Sequence, residues 1–433
     1  MLKASTINLE KTIRHLTETI GPRLAGSRKE REAALYMQEN FRALGLDCRL
    51  EDFPVLERRV ESESLELFID GSWKKYGCSL YGGAPSTCGK SVEGDVIFFD
   101  SHTDFQREDL SGLTGKAVIY YGVAFPSGKD YRRMMEARPA FLLMVDTRHV
   151  STIPLADGLY PSYVRAFGAL PCVSVAACNS WEWVRQKASK ARLCVAGGAR
   201  PSQSCNVVAE LPGYAPDGKI IYFGSHLDTQ ANCPGADDNA AACALVLEFA
   251  RILRETKHKR TIRFLAFGAE EQLSVGSCAY LVAHKDEISR GGFCFNFDEA
   301  GTAVGWTVLR VSAPAPLREK IRAVFSACDI CYLENRTPKP FNDFFPFSAS
   351  GIGGFSGERY NCETKLDYHH RCDDVIGNLS MDILAGFAGA TAEIAAFLAD
   401  VEDVSPYLGV DPDYAEEVRA RWEETFLGKG IEK

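Results

Sequence analysis

Three apolar runs in the middle of the chain stop, one after another, at residues able to bind a metal ion. The runs Ile220-Ile-Tyr-Phe-Gly224, Ile262-Arg-Phe-Leu-Ala-Phe267 and Phe293-Cys-Phe-Asn-Phe297 have the length and residue types of short, largely buried strands. They end, in order, at His226-Leu-Asp228, at Glu270-Glu271 and at Asp298. Between the first two lies Gly235-Ala-Asp-Asp-Asn239, which leads into an apolar helix predicted from Ala240 to about Glu255. Strands that alternate with helices predict an α/β fold, a mixed, mostly parallel sheet flanked by helices. Such a sheet gathers ligands at the carboxyl ends of its strands.

The pattern on either side of this stretch differs. Residues Ser5 to Ile20 carry Ile7, Ile13, Leu16 and Ile20 at helical spacing, and a second helix starts at Ser27, with Glu30 three residues on, and stops at Gly45. Both are expected to pack and to do no chemistry. From Phe53 to Gly198 the chain turns to short β-like runs broken by Gly, Pro, Ser and Asp, such as Leu65-Glu-Leu-Phe-Ile69, Asp95-Val-Ile-Phe-Phe99 and Phe141-Leu-Leu-Met-Val145, with helices at Lys129 to Glu136 and Ser180 to Ala191. No group of His, Asp and Glu has ligand spacing there. The predicted organisation is therefore a catalytic domain made of residues 1–52 and 199–433, interrupted by a mainly β insert, 53–198, that flanks the crevice.

Beyond the organising stretch, a strand is expected at Thr307 to Ser312 and a helix at Pro316 to Ala327. A long loop, Glu334 to Glu363, follows and leads to Tyr368-His-His-Arg-Cys-Asp373. The segment Ser380 to Ala399 reads as a buried helix and the last thirty residues as a surface helix.

Composition removes several function classes. The 433 residues are 46% hydrophobic and 25% charged, with a net charge of -9, so neither nucleic acid nor an anionic membrane is an expected partner. No run is expected to span a bilayer, and the start, Met1-Leu-Lys-Ala-Ser-Thr, lacks the apolar core of a secretory signal; a cytoplasmic location is the expectation. The 15 cysteines are odd in number and scattered, which suits buried reduced thiols. Cys233 and Cys372 lie near candidate ligands, but neither has a CxxC partner, so both are left out of the metal shell.

The acidic residues and histidines supply what a two-metal hydrolase needs: a bridging carboxylate, terminal carboxylates and histidines, and a free carboxylate to take a proton from water. His226 is followed two residues on by Asp228, which is placed to fix the imidazole tautomer. Asp237, just before a helix, is able to bridge two ions. Glu270 and Glu271 leave their strand in different directions, so one can bind metal while the other acts as base. Asp298 and His369 complete the set. Each element alone is weak, but two acids closing the apolar run Phe264-Leu-Ala-Phe267, and an acid ending an aromatic strand at Asp298, are hard to explain as packing.

These runs, with Gly235-Ala-Asp-Asp-Asn-Ala240, Thr261-Ile-Arg-Phe-Leu-Ala-Phe-Gly-Ala-Glu-Glu-Gln272, Asn296-Phe-Asp298 and Tyr368-His369 followed by Cys372-Asp373, resemble the co-catalytic dizinc aminopeptidase family. That family also holds glutamate carboxypeptidase, glutaminyl cyclases and the inactive transferrin receptor. The opening Gly21-Pro-Arg-Leu-Ala-Gly26 is similar to its first segment. Leu113-Thr-Gly-Lys-Ala-Val-Ile119 and Leu170-Pro-Cys-Val-Ser-Val175 resemble a protease-associated domain. The resemblance implies two zinc ions held by His226, Asp237 as the bridge, Glu271, Asp298 and His369, with Glu270 as general base. His370 stands beside His369 and either could be the ligand; His369 is preferred because Asp373 lies four residues on. Gly351-Ile-Gly353 departs from the family's Gly-Ile-Pro and leaves the shape of the substrate pocket open.

The expected activity is that of a metallo-aminopeptidase acting on peptides. The alternatives are a carboxypeptidase or dipeptidase, a single-zinc glutaminyl cyclase, or an inactive binding protein. A carboxypeptidase needs a cation aimed at the substrate carboxylate, for which Arg310, Arg359 and Arg371 are available. An inactive relative normally loses ligands or the base, whereas this chain carries the full set.

Overall fold

The computed structural model describes residues 2–147, 152–154, 156–360 and 368–428. Its strands are β1 (Asp47–Ile69), β2 (Ser72–Tyr76), β3 (Ser79–Leu80), β4 (Val92–Asp100), β5 (Ala117–Tyr121), β6 (Phe141–Val145), β7 (Cys172–Val175), β8 (Lys190–Leu211), β9 (Ile220–His226), β10 (Thr261–Phe267), β11 (Gly292–Phe297), β12 (Trp306–Val311), β13 (Tyr332–Asn335) and β14 (Gly353–Tyr360). The three apolar runs are β9, β10 and β11. They pair in parallel in the order β11-β9-β10, so their carboxyl ends lie side by side. Helices Ala241–Leu253 and Met381–Asp400 cover this part of the sheet and share its core with Phe223, Phe264, Phe295 and Phe297.

Two very long strands connect this core to a second one. β1 and β8 pair antiparallel from Asp47 opposite Glu210 to Phe68 opposite Lys190. The expected boundaries at 52/53 and 198/199 thus fall inside continuous strands. At the far end, β4, β5, β6 and β7 form a parallel set around their own cluster, which includes Tyr120, Tyr131, Phe141 and Trp183. Helices Gly128–Ala137, Pro161–Phe167 and Ala177–Arg185 join and follow those strands. Strand outweighs helix in the insert, as expected, and helical crossovers join its parallel strands β5, β6 and β7.

Three further differences have physical reasons. The expected loop Glu334 to Glu363 holds a helix, Phe344–Ala349, and the strand β14, which lies between β11 and β12 in the sheet; residues 361–363 fall outside the described ones. β14 reads as a loop because it is rich in glycine. At Gly354 an added Cβ would lie 1.9 Å from the Cys294 carbonyl oxygen, so close backbone approach requires the residue that hides the strand. The helix Met381–Asp400 is long and apolar enough, by length and composition, to cross a membrane, contrary to the expectation that no run is. In this fold Leu384, Phe387, Ile394 and Leu398 are buried in the catalytic core.

The terminal helix, Pro412–Phe426, is a brace as well as a cover. Trp422 and Phe426 stack on Phe345 of the catalytic part, with centroids 5.8 and 6.2 Å away. On its other side, Ser162 Oγ and Tyr163 OH of the insert donate to the carbonyls of Thr425 and Glu424. The described cysteines are all free thiols.

Candidate metal centre

His226 is the last residue of β9, and its ring is oriented by the chain just beyond. Nδ1 lies 3.1 Å from the Asp228 carbonyl oxygen, so Nδ1 carries the hydrogen and Nε2 presents its lone pair to the crevice. Nε2 is 3.1 Å from Asp238 Oδ1 and 3.3 Å from Asp298 Oδ1. On the other side, His370 Nε2 is 3.2 Å from Asp238 Oδ2 and 3.1 Å from Glu271 Oε2. Two triads of one imidazole and two carboxylates therefore share Asp238, one oxygen to each.

This donor set fits zinc. Ligand atoms 3.1 to 3.3 Å apart match the edge of a tetrahedron with bonds of ~2.0–2.1 Å. Imidazole with carboxylate is a zinc shell, while calcium and magnesium take oxygens. Glu271 Oε1 is buried without a hydrogen-bond partner, as a carboxylate awaiting a cation would be. The acid groups carry the same message. Burial pushes Glu270 well above the usual carboxylate range and raises Glu271 to about 7. Burial works against charged imidazoles, yet the facing carboxylates hold both His226 and His370 well above their ordinary value.

Several sequence expectations shift by one residue. Asp237 does not face the cluster: its Oδ1 accepts the Gly301 N–H at 2.6 Å, and the carboxylate shared by the two triads is that of Asp238. The turn explains the choice. The N–H groups of Asp237 and Asp238 both donate to the Asp374 carboxylate, at 2.9 and 3.1 Å, and this pins the chain so that the second side chain reaches the crevice. His369 stands at the margin, its Nδ1 2.8 Å from Glu299 Oε1 and 3.5 Å from Asp238 Oδ2, stacked on His370. Asp373 pairs with Arg371 instead of supporting a ligand. Asp228 does more than expected: its carbonyl orients His226, with its carboxylate 3.6 Å from the same Nδ1, and that carboxylate also accepts the N–H groups of Glu270 and Glu271, at 3.0 and 3.1 Å.

Glu270 and Glu271 sit as expected at the end of β10 and point to different partners. Glu271 reaches His370 and accepts from Gln230 Nε2 at 3.1 Å. Glu270 belongs to neither triad and accepts from Ser274 Oγ at 3.3 Å. The turn carrying them is held by three acceptors, Asp228, Asn206 to the Gly268 N–H, and Glu30 to the Ala269 N–H. Glu30 was expected only to cap its helix. It is buried, accepts from Gly26 N and Ser204 Oγ as well, and is raised to about 8, chiefly by burial and then by Asp228. Arg23 is also buried; its guanidinium donates to the carbonyls of Leu16, Gly21, Leu227, Pro234 and Gly235 and so ties the loop after β9. The only sequence signal for Arg23 was its place in the Gly21-Pro-Arg segment.

A cavity of about 450 Å³ opens over the centre. Glu270, Glu271, Asp238 and both adjacent histidines line its floor, and residues 157–161 of the insert form part of its wall. Of the three arginines considered for a carboxylate, Arg310 lines the cavity; Arg359 donates to the carbonyls of Thr302 and Gly305, and Arg371 is paired with Asp373.

Residues 206–394 match the profile of peptidase family M28. Aminopeptidase YwaD of Bacillus subtilis is 27% identical over 300 residues, which is 67% of this chain and 61% of that protein, so the match spans about three fifths of that relative. Carboxypeptidase Q of Rattus norvegicus is 24% identical over 410 residues, 90% of this chain and 85% of the relative. Among solved structures, BSAP, a zinc aminopeptidase from Bacillus subtilis, superposes with a TM-score of 0.76 at 21% identity, covering 94% of this chain and 98% of that one, which shows a shared fold.

Proposed function

We propose that this chain, whose residues 206–394 match the profile of peptidase family M28, is a zinc-dependent exopeptidase that releases N-terminal residues from peptides. His226 and Asp298 would hold one zinc ion and His370 and Glu271 another, with Asp238 common to both sets of residues. The observation that carries this reading is the pair of triads meeting at Asp238, with Glu270 beside them and outside both. When bound, such ions polarise a carbonyl and make a water acidic enough to attack at neutral pH. The residues of the chain do the rest. Glu270, whose carboxyl is raised by burial, takes the proton of the attacking water and returns it to the leaving amine. Asp228 holds both glutamate N–H groups and so keeps the base and the neighbouring ligand apart.

A carboxypeptidase or dipeptidase is the second reading, favoured by Arg310 and Lys339 in the cavity wall. The reading of the insert as protease-associated-like is supported by its two quoted segments, which fall on or just before β5 and β7.

Exhaustive chelation is expected to abolish turnover of aminoacyl chromogenic amides, and zinc to restore it. Glu270→Gln should keep both ions while turnover falls roughly 100- to 10,000-fold, the usual worth of a general base. Glu271→Gln should lose one zinc equivalent. Activity that survives with metal analysis reading zero sinks the proposal; equal cleavage of N-blocked peptides favours the carboxypeptidase.

A further inference from the structure

The insert contributes residues to the cavity over the metal centre, and nearly all of them are apolar. Val123, Ala124, Leu159, Tyr160 and Pro161 form one wall, and Phe341 of the catalytic part closes it, with its ring centroid 5.8 Å from that of Tyr160. The charged lining groups lie on the metal-bearing floor, on the side of Arg310 and Lys339 and, from the insert, at Asp157, whose Oδ2 is 3.9 Å from His370 Nδ1. The apolar wall also backs onto the core of the insert, where Leu159 is buried among Tyr81, Phe125 and Tyr163.

The wall is held in place from three directions. Within the insert, Gly82 N donates to the Asp157 carbonyl and Leu159 N to the Gly82 carbonyl, both at 2.8 Å. From the catalytic part, the His370 carbonyl accepts the Ala156 N–H at 3.3 Å, which ties this loop to the backbone of a residue in the metal cluster. The helix that follows, Pro161–Phe167, is bound to the terminal helix through Ser162 and Tyr163. A surface fastened in this way is preorganised, and its contacts discriminate between ligands instead of yielding to them.

We infer that the insert supplies the side-chain pocket of the active site, and that the substrates are peptides carrying an apolar or aromatic residue next to the scissile bond. An aliphatic or aromatic side chain seated between Leu159, Tyr160 and Phe341 leaves water on binding. A charged one would lose its hydration there with no charged partner among Leu159, Tyr160 and Phe341. This inference rests on the peptidase reading.

The test measures kcat/KM for two dipeptide series, X-Ala and Ala-X, with X as Leu, Phe, Lys or Asp, on the zinc-loaded full chain. In one series Leu and Phe should exceed Lys and Asp by roughly 10- to 200-fold, the range a hydrophobic pocket supplies. Ala124 is exposed, so Ala124→Asp leaves packing alone and puts a carboxylate in the wall; it should narrow the Leu over Lys ratio at least about tenfold. Tyr160→Ala should lower Phe more than Leu. A flat parent profile with turnover intact, or a preference that neither variant moves, overturns the inference and leaves the peptidase reading standing. No turnover on any peptide with both zinc sites filled overturns the peptidase reading and this inference with it.

Discussion

The two halves of the sheet are built alike and end differently. β9, β10 and β11 are parallel strands under helices, and so are β4, β5, β6 and β7. In the insert, the acid at the end of β4 satisfies itself locally: the Asp100 carboxylate accepts the N–H groups of His102 and Thr103 and closes a turn. In the catalytic half, Asp238, Glu271 and Asp298 face one another across two imidazoles, all buried or nearly so. Charge at a strand end costs little when backbone N–H groups meet it and a great deal when other carboxylates do. Only the second arrangement needs a cation. Chemistry here belongs to how strand ends are partnered, and the fold of parallel strands and helices is common to both halves.

The largest expected effect separates neighbours that sequence treats as equals. Asp238→Asn replaces the shared carboxylate by an amide, a poorer zinc ligand, and should lower zinc affinity by more than the roughly 10- to 100-fold typical of a supporting residue, with turnover falling in step. Asp237→Asn keeps an oxygen able to accept the Gly301 N–H and should retain both ions. Zinc titration of the two variants in parallel decides it. Loss of metal from the Asp237 variant alone would return the bridge to Asp237 and undo the comparison above.

That pair also shows how far the sequence could be read. The strands, their parallel direction and the crevice were legible because apolar runs alternated with helices and ended at acids and histidines. The frame within each doublet was not legible from the residues alone, and the family resemblance placed only that of Glu270-Glu271 as it is found. Asp237-Asp238, Glu270-Glu271, His369-His370 and Asp373-Asp374 each offer two chemically equal candidates, and in all four the second member faces the cluster or supports it. The four-residue spacing from His369 to Asp373 is equally that from His370 to Asp374, so spacing could not choose. The choice is made by backbone turns: Asp374 takes the N–H groups of Asp237 and Asp238, and Asp228 those of Glu270 and Glu271. Buried contacts between distant segments, such as Glu30 with Ala269 or Arg23 with Gly235, leave no periodic signal at all.

A smaller effect is expected one layer out. Asp374→Asn can accept one of the two N–H groups through its amide oxygen but turns an NH₂ towards the other, so the turn that presents Asp238 should loosen. Zinc affinity or turnover should drop roughly 10- to 100-fold. Asp373→Asn, whose half-exposed parent carboxylate pairs with the buried Arg371 and not with a proposed ligand, should change either by less than about twofold. Equal losses in the two variants would mean that the segment after His370 acts as a whole and not through Asp374.

The smallest change in activity is expected at Glu30, and it is read as stability against pH. Its carboxyl is raised to about 8 in the folded protein, mainly by burial, from an ordinary value near 4.5. The folded state therefore binds this proton more tightly than the unfolded chain does. The stability it contributes is complete below about 4.5, declines as pH rises, and is gone above about 8, with a slope of at most ~1.4 kcal/mol per pH unit. Glu30→Gln cannot titrate and should lack that slope. It also sets an NH₂ group against one of the donors at Gly26, Ser204 or Ala269, which lowers its stability by a constant amount. The quantity to follow is the difference in urea unfolding free energy, parent minus variant, from pH 5 to pH 9, with both proteins free of zinc so that metal release adds no slope of its own. That difference should fall with pH and level off above about 8. A difference that rises with pH would mean that Glu30 is stabilised as the carboxylate by its three donors, and that the turn under Glu270 rests on a buried charge.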